Sequence, residues 1–269
     1  MSRLDRALVE RGLLGSRSRA AREIAAGRVG VNGRTVIKAS HEVAETDELT
    51  VTEPDPWVAR SAHKLLGALD AFDLNRSTIT GLTALDAGAS TGGFTQVLLH
   101  AGAAEVWAVD VGHDQLAPSL REDPRVHVRE GLNLRELSAS DVPIVDLVVA
   151  DVSFISLRLL IGELLQATSA DGELLLMVKP QFELARSALD KHGVVTSAAG
   201  RRRALDSVCE AIAEHAARIV DIAPSPLPGP SGNREYFLRV RPGRTPLKSD
   251  RLNEAAIPAH LDELMRGEA

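Results

Sequence analysis

The spacing of apolar residues at the start of the chain predicts two short helices followed by strands. Apolar side chains recur at helical spacing over residues 3–10, and a second helix is predicted after Ser16 or Ser18. Alternating residues on both sides of Asn32-Gly33 predict a β-hairpin, and a further alternating segment ends near Thr52. The first 52 residues are therefore expected to form a small α+β domain.

Helical and strand patterns alternate in the rest of the chain. A helix is predicted at residues 63–72. Seven apolar strands follow it, at 83–85, 105–109, 126–128, 145–150, 173–178, 218–222 and 235–240. Such alternation is typical of a mostly parallel sheet covered by helices on both faces. The segment between the last two strands, 224–232, is too short for a crossover helix, so these strands should pair antiparallel. This α/β arrangement resembles the Rossmann-like, seven-stranded domain of S-adenosylmethionine-dependent methyltransferases.

A proline-containing segment separates the two regions. Pro54 and Pro56 disfavour helical backbone on either side, which predicts a short, stiff linker. Trp57, at the end of this segment, either packs the two domains together or belongs to an ordinary core. The expected organisation is a small domain, a linker, a large domain and a tail without an assigned role, at residues 1–52, 53–60, 61–242 and 243–269.

Composition narrows the class of protein. The chain has 269 residues, of which 44% are apolar and 25% charged, as expected for a globular protein. Its apolar runs are far shorter than the roughly 18–20 residues that cross a bilayer, and the charged N-terminus does not resemble a signal peptide. Cys209 is the single cysteine, which excludes an intrachain disulfide and a cysteine-based zinc site. We therefore expect a cytoplasmic protein without a membrane partner or a bound metal.

Charge is distributed unevenly along the chain. Residues 1–38 contain nine Arg or Lys and three acidic residues, a net charge of 9 − 3 = +6, whereas the whole chain carries −6. The remainder therefore carries −6 − 6 = −12. A basic segment on an acidic protein suggests contact with a polyanion, although a solvated charged face would have the same composition.

Short motifs in the first domain resemble the S-four-like RNA-binding domain, named after a small-subunit ribosomal protein. The matching motifs are Arg3-Leu4-Asp5, Ser18-Arg19-Ala20, Ile24, Gly27-Arg28-Val29 and Val31-Asn32-Gly33. The resemblance implies that the second helix and the hairpin bind structured RNA, with protein docking as the alternative. The chain has only eight aromatic residues, which favours phosphate contacts over base stacking. The candidate RNA-binding residues are Arg3, Arg17, Arg19, Arg22, Arg28 and Arg34.

A glycine-rich turn follows the first strand of the large domain. Its sequence, Leu85-Asp86-Ala87-Gly88-Ala89-Ser90-Thr91-Gly92-Gly93-Phe94, suits a tight structural turn, a dinucleotide site or an S-adenosylmethionine site. Ser90 replaces the second glycine of the dinucleotide motif, which favours a cofactor without a pyrophosphate. Asp110 ends the next strand, where a carboxylate accepts hydrogen bonds from ribose. Asp86 would face the amino-acid end of the cofactor, and Asn133 lies in a turn that is either part of the adenine pocket or only a turn. The candidate cofactor-binding residues are Asp86, Gly88, Ser90, Thr91, Gly92, Gly93, Phe94, Asp110 and Asn133.

Four charged residues form a second candidate site. Asp151 and Lys179 end the fourth and fifth strands, and Glu235 opens the last one. In the expected strand order these strands are neighbours, so the three side chains should meet at the carboxyl-end crevice, within reach of Lys64 on the entering helix. A solvated strand end explains each residue singly, but charges carried by buried strands need partners or a function.

Three longer motifs resemble the TlyA family, which joins an S-four-like domain to an FtsJ-like methyltransferase domain. They are Asp151-Val152-Ser153-Phe154-Ile155-Ser156, Val178-Lys179-Pro180-Gln181-Phe182-Glu183 and Gly229-Pro230-Ser231-Gly232-Asn233-Arg234-Glu235-Tyr236-Phe237. The resemblance covers residues 3–241. It implies transfer of a methyl group from S-adenosylmethionine to the ribose 2′-oxygen of cytidine in small- or large-subunit ribosomal RNA. It also implies a catalytic tetrad formed by Lys64, Asp151, Lys179 and Glu235.

The role of Lys179 and three other functions stay open at this point. Lys179 is the candidate base for the 2′-hydroxyl, or a donor that orients the oxygen if its acidic neighbours keep it protonated. One alternative function is a non-catalytic RNA-binding factor in ribosome assembly. A haemolysin, a label that the TlyA family has carried, lacks support from any long apolar segment. Ser90 and the four charged residues disfavour a nicotinamide dehydrogenase.

Overall fold

The structure is a computed structural model, and it describes residues 1–267. Its contacts divide the chain into two compact units, with the division between Ala59 and Arg60. The elements of the first unit are β1 (Ser2–Arg3), α1 (Leu4–Glu10), α2 (Arg17–Ala25), β2 (Val29–Val31), β3 (Arg34–Thr35), β4 (Glu42–Val43) and β5 (Leu49–Val51). Strands β3, β2 and β5 form an antiparallel sheet, and β1 pairs with β4.

The helix cap and the hairpin turn predicted in the first unit are both present in the structure. Ser16 caps α2 by accepting a hydrogen bond from the Arg19 amide at 3.2 Å. Asn32 and Gly33 both have positive φ angles, 51° and 75°, which is the backbone that a two-residue hairpin requires. The core of this unit consists of the apolar faces of both helices and the sheet, with Leu4, Leu8, Ala20, Ile24, Val29 and Val43 fully or almost fully buried.

The second unit begins with α3 (Ser61–Ala71), whose apolar face matches the predicted first helix. Its further helices are α4 (Arg76–Ile79), α5 (Gly93–His100), α6 (Pro118–Arg121), α7 (Ile161–Gln166), α8 (Pro180–Glu183), α9 (Ala198–Glu214) and α10 (Ile257–Arg266). Its strands are β6 (Thr83–Ala87), β7 (Glu105–Asp110), β8 (Val126–Glu130), β9 (Val145–Ala150), β10 (Thr168–Val178), β11 (Ala217–Pro224) and β12 (Tyr236–Pro242). Within the described residues, 3₁₀ turns cover Leu134–Glu136, Leu157–Leu159, Arg186–Ala188 and Glu254–Ala256.

The seven strands of the second unit form one sheet in the order β11-β12-β10-β9-β6-β7-β8. Strands β8, β7, β6, β9 and β10 are parallel, whereas β12 runs antiparallel to both β10 and β11. The predicted α/β class, the antiparallel last hairpin and the adjacency of the fourth, fifth and last strands are confirmed. Several strand ends differ from the prediction by one to five residues, and two of these differences involve candidate site residues: Asp86 lies inside β6, and Glu235 lies immediately before β12.

The segment after Pro242 folds onto the second unit. Asp250 accepts hydrogen bonds from Arg218 of β11 and Arg241 of β12, both at 2.8 Å. Helix α10 then buries Leu261 and Met265 in the same apolar cluster as α9 and β11. The tail is therefore a structural part of the large unit.

Candidate active site and RNA-binding surface

Two lysine–carboxylate pairs lie at the carboxyl edge of the sheet. The Lys64 Nζ atom is 2.5 Å from Glu235 Oε2, and the Lys179 Nζ atom is 2.6 Å from Asp151 Oδ1. Strand register explains why residues so distant in sequence share this edge. Val178 of β10 pairs with Tyr236 of β12, so Lys179 and Glu235 are the next residues at adjoining strand ends. The structure thus brings the four predicted charged residues together as two ion pairs.

Local backbone features hold Lys179 and Asp151 in place. Pro180 follows Lys179 and disfavours helical backbone at the lysine, which is extended at φ −111° and ψ 99°. The Asp151 amide donates a hydrogen bond to the Ala87 carbonyl at 3.1 Å, which joins the end of β9 to the end of β6. Both lysines and Glu235 are buried, so their charges depend on each other more than surface ion pairs do.

The loop before β12 fits closely around Glu235. A Cβ atom at Gly229 would lie 2.7 Å from Glu235 Oε1, so a larger residue there would require the Glu235 carboxylate to shift. The buried Asn233 side chain accepts a hydrogen bond from the Val195 amide at 2.9 Å and donates one to the Gly193 carbonyl at 3.0 Å. A cavity of about 720 Å³ borders Glu235 and is also lined by His260 of α10.

The glycine-rich turn packs directly against the end of β9. Gly88 has a φ angle of +88°, and a Cβ atom there would lie 3.1 Å from the Asp151 carbonyl oxygen. The turn continues through Ser90, also with left-handed backbone at φ 48°, and α5 begins at Gly93 as predicted. The candidate cofactor turn and the Lys179–Asp151 pair are therefore neighbours in space.

Asp86 lies below this turn and is completely buried. Its Oδ2 atom accepts hydrogen bonds from the Thr95 amide at 2.8 Å and the Thr95 hydroxyl at 2.6 Å. Its Oδ1 atom has no hydrogen-bond partner among the residues that the structure describes. Burial raises the pKa of Asp86 to about 7, although the bonds from Thr95 act in the opposite direction.

The raised pKa of Asp86 predicts a specific pH dependence of stability. Between the ordinary value of 3.8 and about 7, the folded protein keeps a proton that the unfolded chain releases. The contribution of Asp86 to the free energy of unfolding is therefore complete below pH ~4 and is lost as the pH rises to about 7. We expect Asp86→Asn to remove this loss, as measured by urea denaturation of both proteins from pH 4 to 8.

The exposed Asp47 supplies the control for this measurement. Hydrogen bonds from Asn32 and the Ala44 amide lower the pKa of Asp47, so Asp47→Asn should not change the slope between pH 5 and 7. Equal slopes for the wild-type protein and Asp86→Asn would contradict the assignment.

Asp110 and Asn133, two further predicted cofactor residues, already make local hydrogen bonds. The Asp110 carboxylate accepts from the Ser90 amide at 2.8 Å and the Gly112 amide at 2.7 Å, which shapes the crevice beside the turn. Asn133 caps the 3₁₀ turn after β8 by accepting from the Arg135 amide at 3.2 Å. The sequence allowed Asn133 to be part of the adenine pocket or only a turn residue, and this bond supports the second interpretation.

Sequence reasoning assigned no role to three residues beside the charged pairs. The Ser153 hydroxyl accepts a hydrogen bond from Lys179 Nζ at 2.7 Å. Phe154 has left-handed backbone at φ 66° and a side chain that is 91% exposed, and its ring centroid is 5.3 Å from that of Phe182. Ser153, Phe154 and Phe182 all lie in the motifs that resemble the TlyA family, but nothing in their spacing distinguishes them from ordinary loop residues.

The six predicted RNA-binding arginines fall into two groups. Arg19 and Arg22 donate hydrogen bonds to the Asp55 and Trp57 carbonyls at 2.6 and 3.1 Å. Arg28 pairs with the buried Glu23 at 2.6 Å, so these three side chains hold the linker or the core of their own unit. The other three, Arg3, Arg17 and Arg34, are exposed, although Arg3 and Arg17 also contact Asp5.

Comparison with known proteins identifies two family models in this chain. The FtsJ-like methyltransferase model matches residues 57–241, and the S4 domain model matches residues 2–49. The chain is 47% identical over 243 residues to the 16S/23S rRNA (cytidine-2′-O)-methyltransferase TlyA of Mycobacterium tuberculosis, a match that covers 89% of this chain and 90% of that protein.

Two further relatives carry a different name. Hemolysin A of Brachyspira hyodysenteriae is 35% identical over 239 residues, covering 87% of this chain and 98% of that protein. A solved structure of a candidate hemolysin from Streptococcus thermophilus superposes with a TM-score of 0.76 at 31% identity, covering 99% of this chain and 94% of that one. Within residues 1–267 no helix is long and apolar enough to cross a membrane.

Proposed function

Because the chain belongs to the family of FtsJ-like methyltransferases with an N-terminal S4 domain, we propose that it methylates ribose 2′-hydroxyls of cytidine in ribosomal RNA. The observation that carries this proposal is the meeting of two lysines and two carboxylates beside the glycine-rich turn. A non-catalytic RNA-binding protein would have no need to bury these charges, which are costly to desolvate.

The residues around the turn fit S-adenosylmethionine as the methyl donor. This cofactor supplies a methyl group on a positively charged sulfur. Gly88 lets the backbone of the turn pack closely against the end of β9, and the buried Asp86 Oδ1 atom nearby has no hydrogen-bond partner among the described residues. Asp110 would hold the ribose, since each of its oxygens accepts one amide and retains a second lone pair.

Lys179 is the residue that acts on the 2′-hydroxyl in this proposal. It takes the proton of the hydroxyl or donates a hydrogen bond that holds the oxygen in line for attack. Asp151 contacts Lys179, and the Lys64–Glu235 pair supports the adjoining strand ends. Most of the rate enhancement would come from alignment, because the groups are carried by a rigid sheet.

Ribosomal RNA would contact the exposed arginines of the first unit and also the aromatic residues near the crevice. Arg3, Arg17 and Arg34 are accessible to phosphates, whereas Arg19, Arg22 and Arg28 are used within their own unit. Phe154 and Phe182 supply ring faces for an unstacked base next to the target nucleotide. A ribosomal substrate would place the activity in the cytoplasm.

The division of the arginines predicts the salt dependence of RNA binding. We expect the double variant Arg17→Ala/Arg34→Ala to lower the slope of log Kd against log salt by about 2, because two phosphate contacts are lost. Arg3 remains on Asp5 in this variant, so that buried carboxylate keeps a partner. Filter binding to ribosomal RNA at several salt concentrations measures the slope. The control is Arg266→Ala, at an exposed arginine of α10, which should leave the slope unchanged. An unchanged slope in the double variant would show that RNA does not contact Arg17 and Arg34.

Methyl transfer to ribosomal RNA tests the function directly. The full-length protein, tritiated S-adenosylmethionine and ribosomal subunits from cells without this modification should yield labelled RNA, with 2′-O-methylcytidine identified by mass spectrometry. Tight RNA binding without transfer would instead favour the assembly factor. Leakage from lipid vesicles without any transfer would favour the haemolysin that the names of some relatives suggest.

A further inference from the structure

We propose that Ser153 is the positioning residue that orients the Lys179 amine for methyl transfer. This inference rests on the proposed function and assigns a role to a hydroxyl that neither the charged pairs nor the cofactor turn requires. The hydrogen bond between Lys179 Nζ and Ser153 Oγ, at 2.7 Å, is the observation that carries it.

The backbone after β9 places Ser153 on the same side as Asp151. Asp151 Oδ1 and Ser153 Oγ lie 2.6 and 2.7 Å from the same Lys179 Nζ atom, so these two side chains share one side and Val152 takes the other. Val152 is accordingly buried, at 6% exposure, whereas Ser153 is accessible. The left-handed backbone of Phe154 then turns the chain away, which ends the segment directly after the serine.

Hydrogen-bond geometry distinguishes the two neighbours of Lys179. Asp151 Oδ1 lies 2.6 Å from Nζ, but this buried oxygen has no hydrogen bond of acceptable angle among the described residues. The Ser153 hydroxyl does meet the angular criteria. Asp151 therefore supplies charge, whereas Ser153 fixes the rotation of the amine about its last bond.

A fixed rotation matters because it determines where the remaining positions at the lysine nitrogen point. One N–H of Lys179 is directed to the Ser153 hydroxyl, Asp151 lies 2.6 Å away as the counter-ion, and a remaining position at the nitrogen can face the 2′-hydroxyl. In the reaction a bond forms between the 2′-oxygen and the methyl carbon, the bond from sulfur to carbon breaks, and its electron pair stays on sulfur. The hydroxyl proton passes to Lys179 when that side chain is neutral, or to solvent when Lys179 serves as a donor.

Three variants of the full-length protein test this role in the methyl-transfer assay with ribosomal subunits. Ser153→Ala should lower kcat about tenfold with an unchanged KM for S-adenosylmethionine, since alignment is lost but binding is not. Ser153→Thr keeps the hydroxyl and should restore kcat to within about twofold of the wild-type value. Ser156→Ala removes a hydroxyl from the same loop that contacts Glu183 rather than Lys179, and it should also stay within about twofold.

A double variant that combines Ser153→Ala with Lys179→Arg tests whether the serine acts through the lysine. If Ser153 acts through the lysine amine, Ser153→Ala should have no additional effect on residual turnover in the Lys179→Arg protein. Equal turnover of Ser153→Ala and the wild-type protein would overturn the inference. A loss of turnover in Ser156→Ala as large as that in Ser153→Ala would also overturn it, because it would indicate a general loosening of the loop. A wild-type protein without methyl transfer would instead overturn the proposed function, so the two failures are distinguishable.

Discussion

Lys179→Ala is expected to reduce methyl transfer to ribosomal RNA by roughly 10²–10⁴-fold, the range that a positioned proton-transfer group contributes. The variant removes the amine that contacts both Asp151 and Ser153 at the end of β10. It leaves the glycine-rich turn intact, because Gly88 packs against the Asp151 backbone rather than against the lysine. The affinity for S-adenosylmethionine should therefore stay within about threefold of the wild-type value. Single-turnover transfer and isothermal titration calorimetry measure the two quantities.

Lys248→Ala is the matched control for this experiment. Lys248 is exposed and lies in the segment after Pro242, outside the motifs that carry the crevice residues. The control variant should keep turnover within about twofold of the wild-type value, as surface substitutions usually do. Undiminished turnover in Lys179→Ala would exclude the lysine from catalysis, and a parallel loss of cofactor affinity would assign it to binding instead.

Lys64→Ala is expected to destabilise the protein by about 3–5 kcal/mol, because it leaves the Glu235 carboxylate buried without its counter-ion. The side chains of this pair are only 6% and 1% exposed, so water cannot replace the lysine without local opening. The nearby Met177 Sδ atom, 3.9 Å from Lys64 Nζ, is too weak a partner to replace it. Urea denaturation followed by circular dichroism measures the free energy of unfolding.

Neutralising both members of the pair separates charge from packing. Lys64→Met/Glu235→Gln keeps side chains of similar length and leaves no buried charge, so it should recover most of the stability lost in Lys64→Ala. This double variant should nevertheless have little methyl transfer, since two of the four site charges are absent. Stability of Lys64→Ala equal to that of the wild-type protein would show that the pair is not buried in solution.

The convergence of the four charged residues was predictable because strand order determines it. Asp151 and Lys179 follow apolar strands, and the antiparallel last strand brings Glu235 to the same edge. The division into a Lys64–Glu235 pair and a Lys179–Asp151 pair was not predictable, because it depends on distances of a few ångströms. The same limit applies to Ser153, whose role follows from one hydrogen bond.

Burial distinguishes residues that residue type alone does not. The sequence places Asp86 at the end of a strand, but β6 continues to Ala87 and the carboxylate is enclosed beneath α5. In the first unit, six arginines have equal claims on RNA by composition. Only tertiary contacts show that Arg22 and Arg28 are engaged near the buried Glu23. A single sequence without relatives holds no direct signal for such long-range pairing.

The C-terminal helix has a consequence for where the methyltransferase unit can be cut. The family model stops at residue 241, yet Leu261 and Met265 fill positions in the main apolar cluster and Asp250 joins two arginines of the last hairpin. A truncated protein ending at Pro242 would expose that cluster and leave Arg218 and Arg241 without this carboxylate. The smallest independently stable version of the domain is therefore longer than the matched sequence, and shortened forms should aggregate.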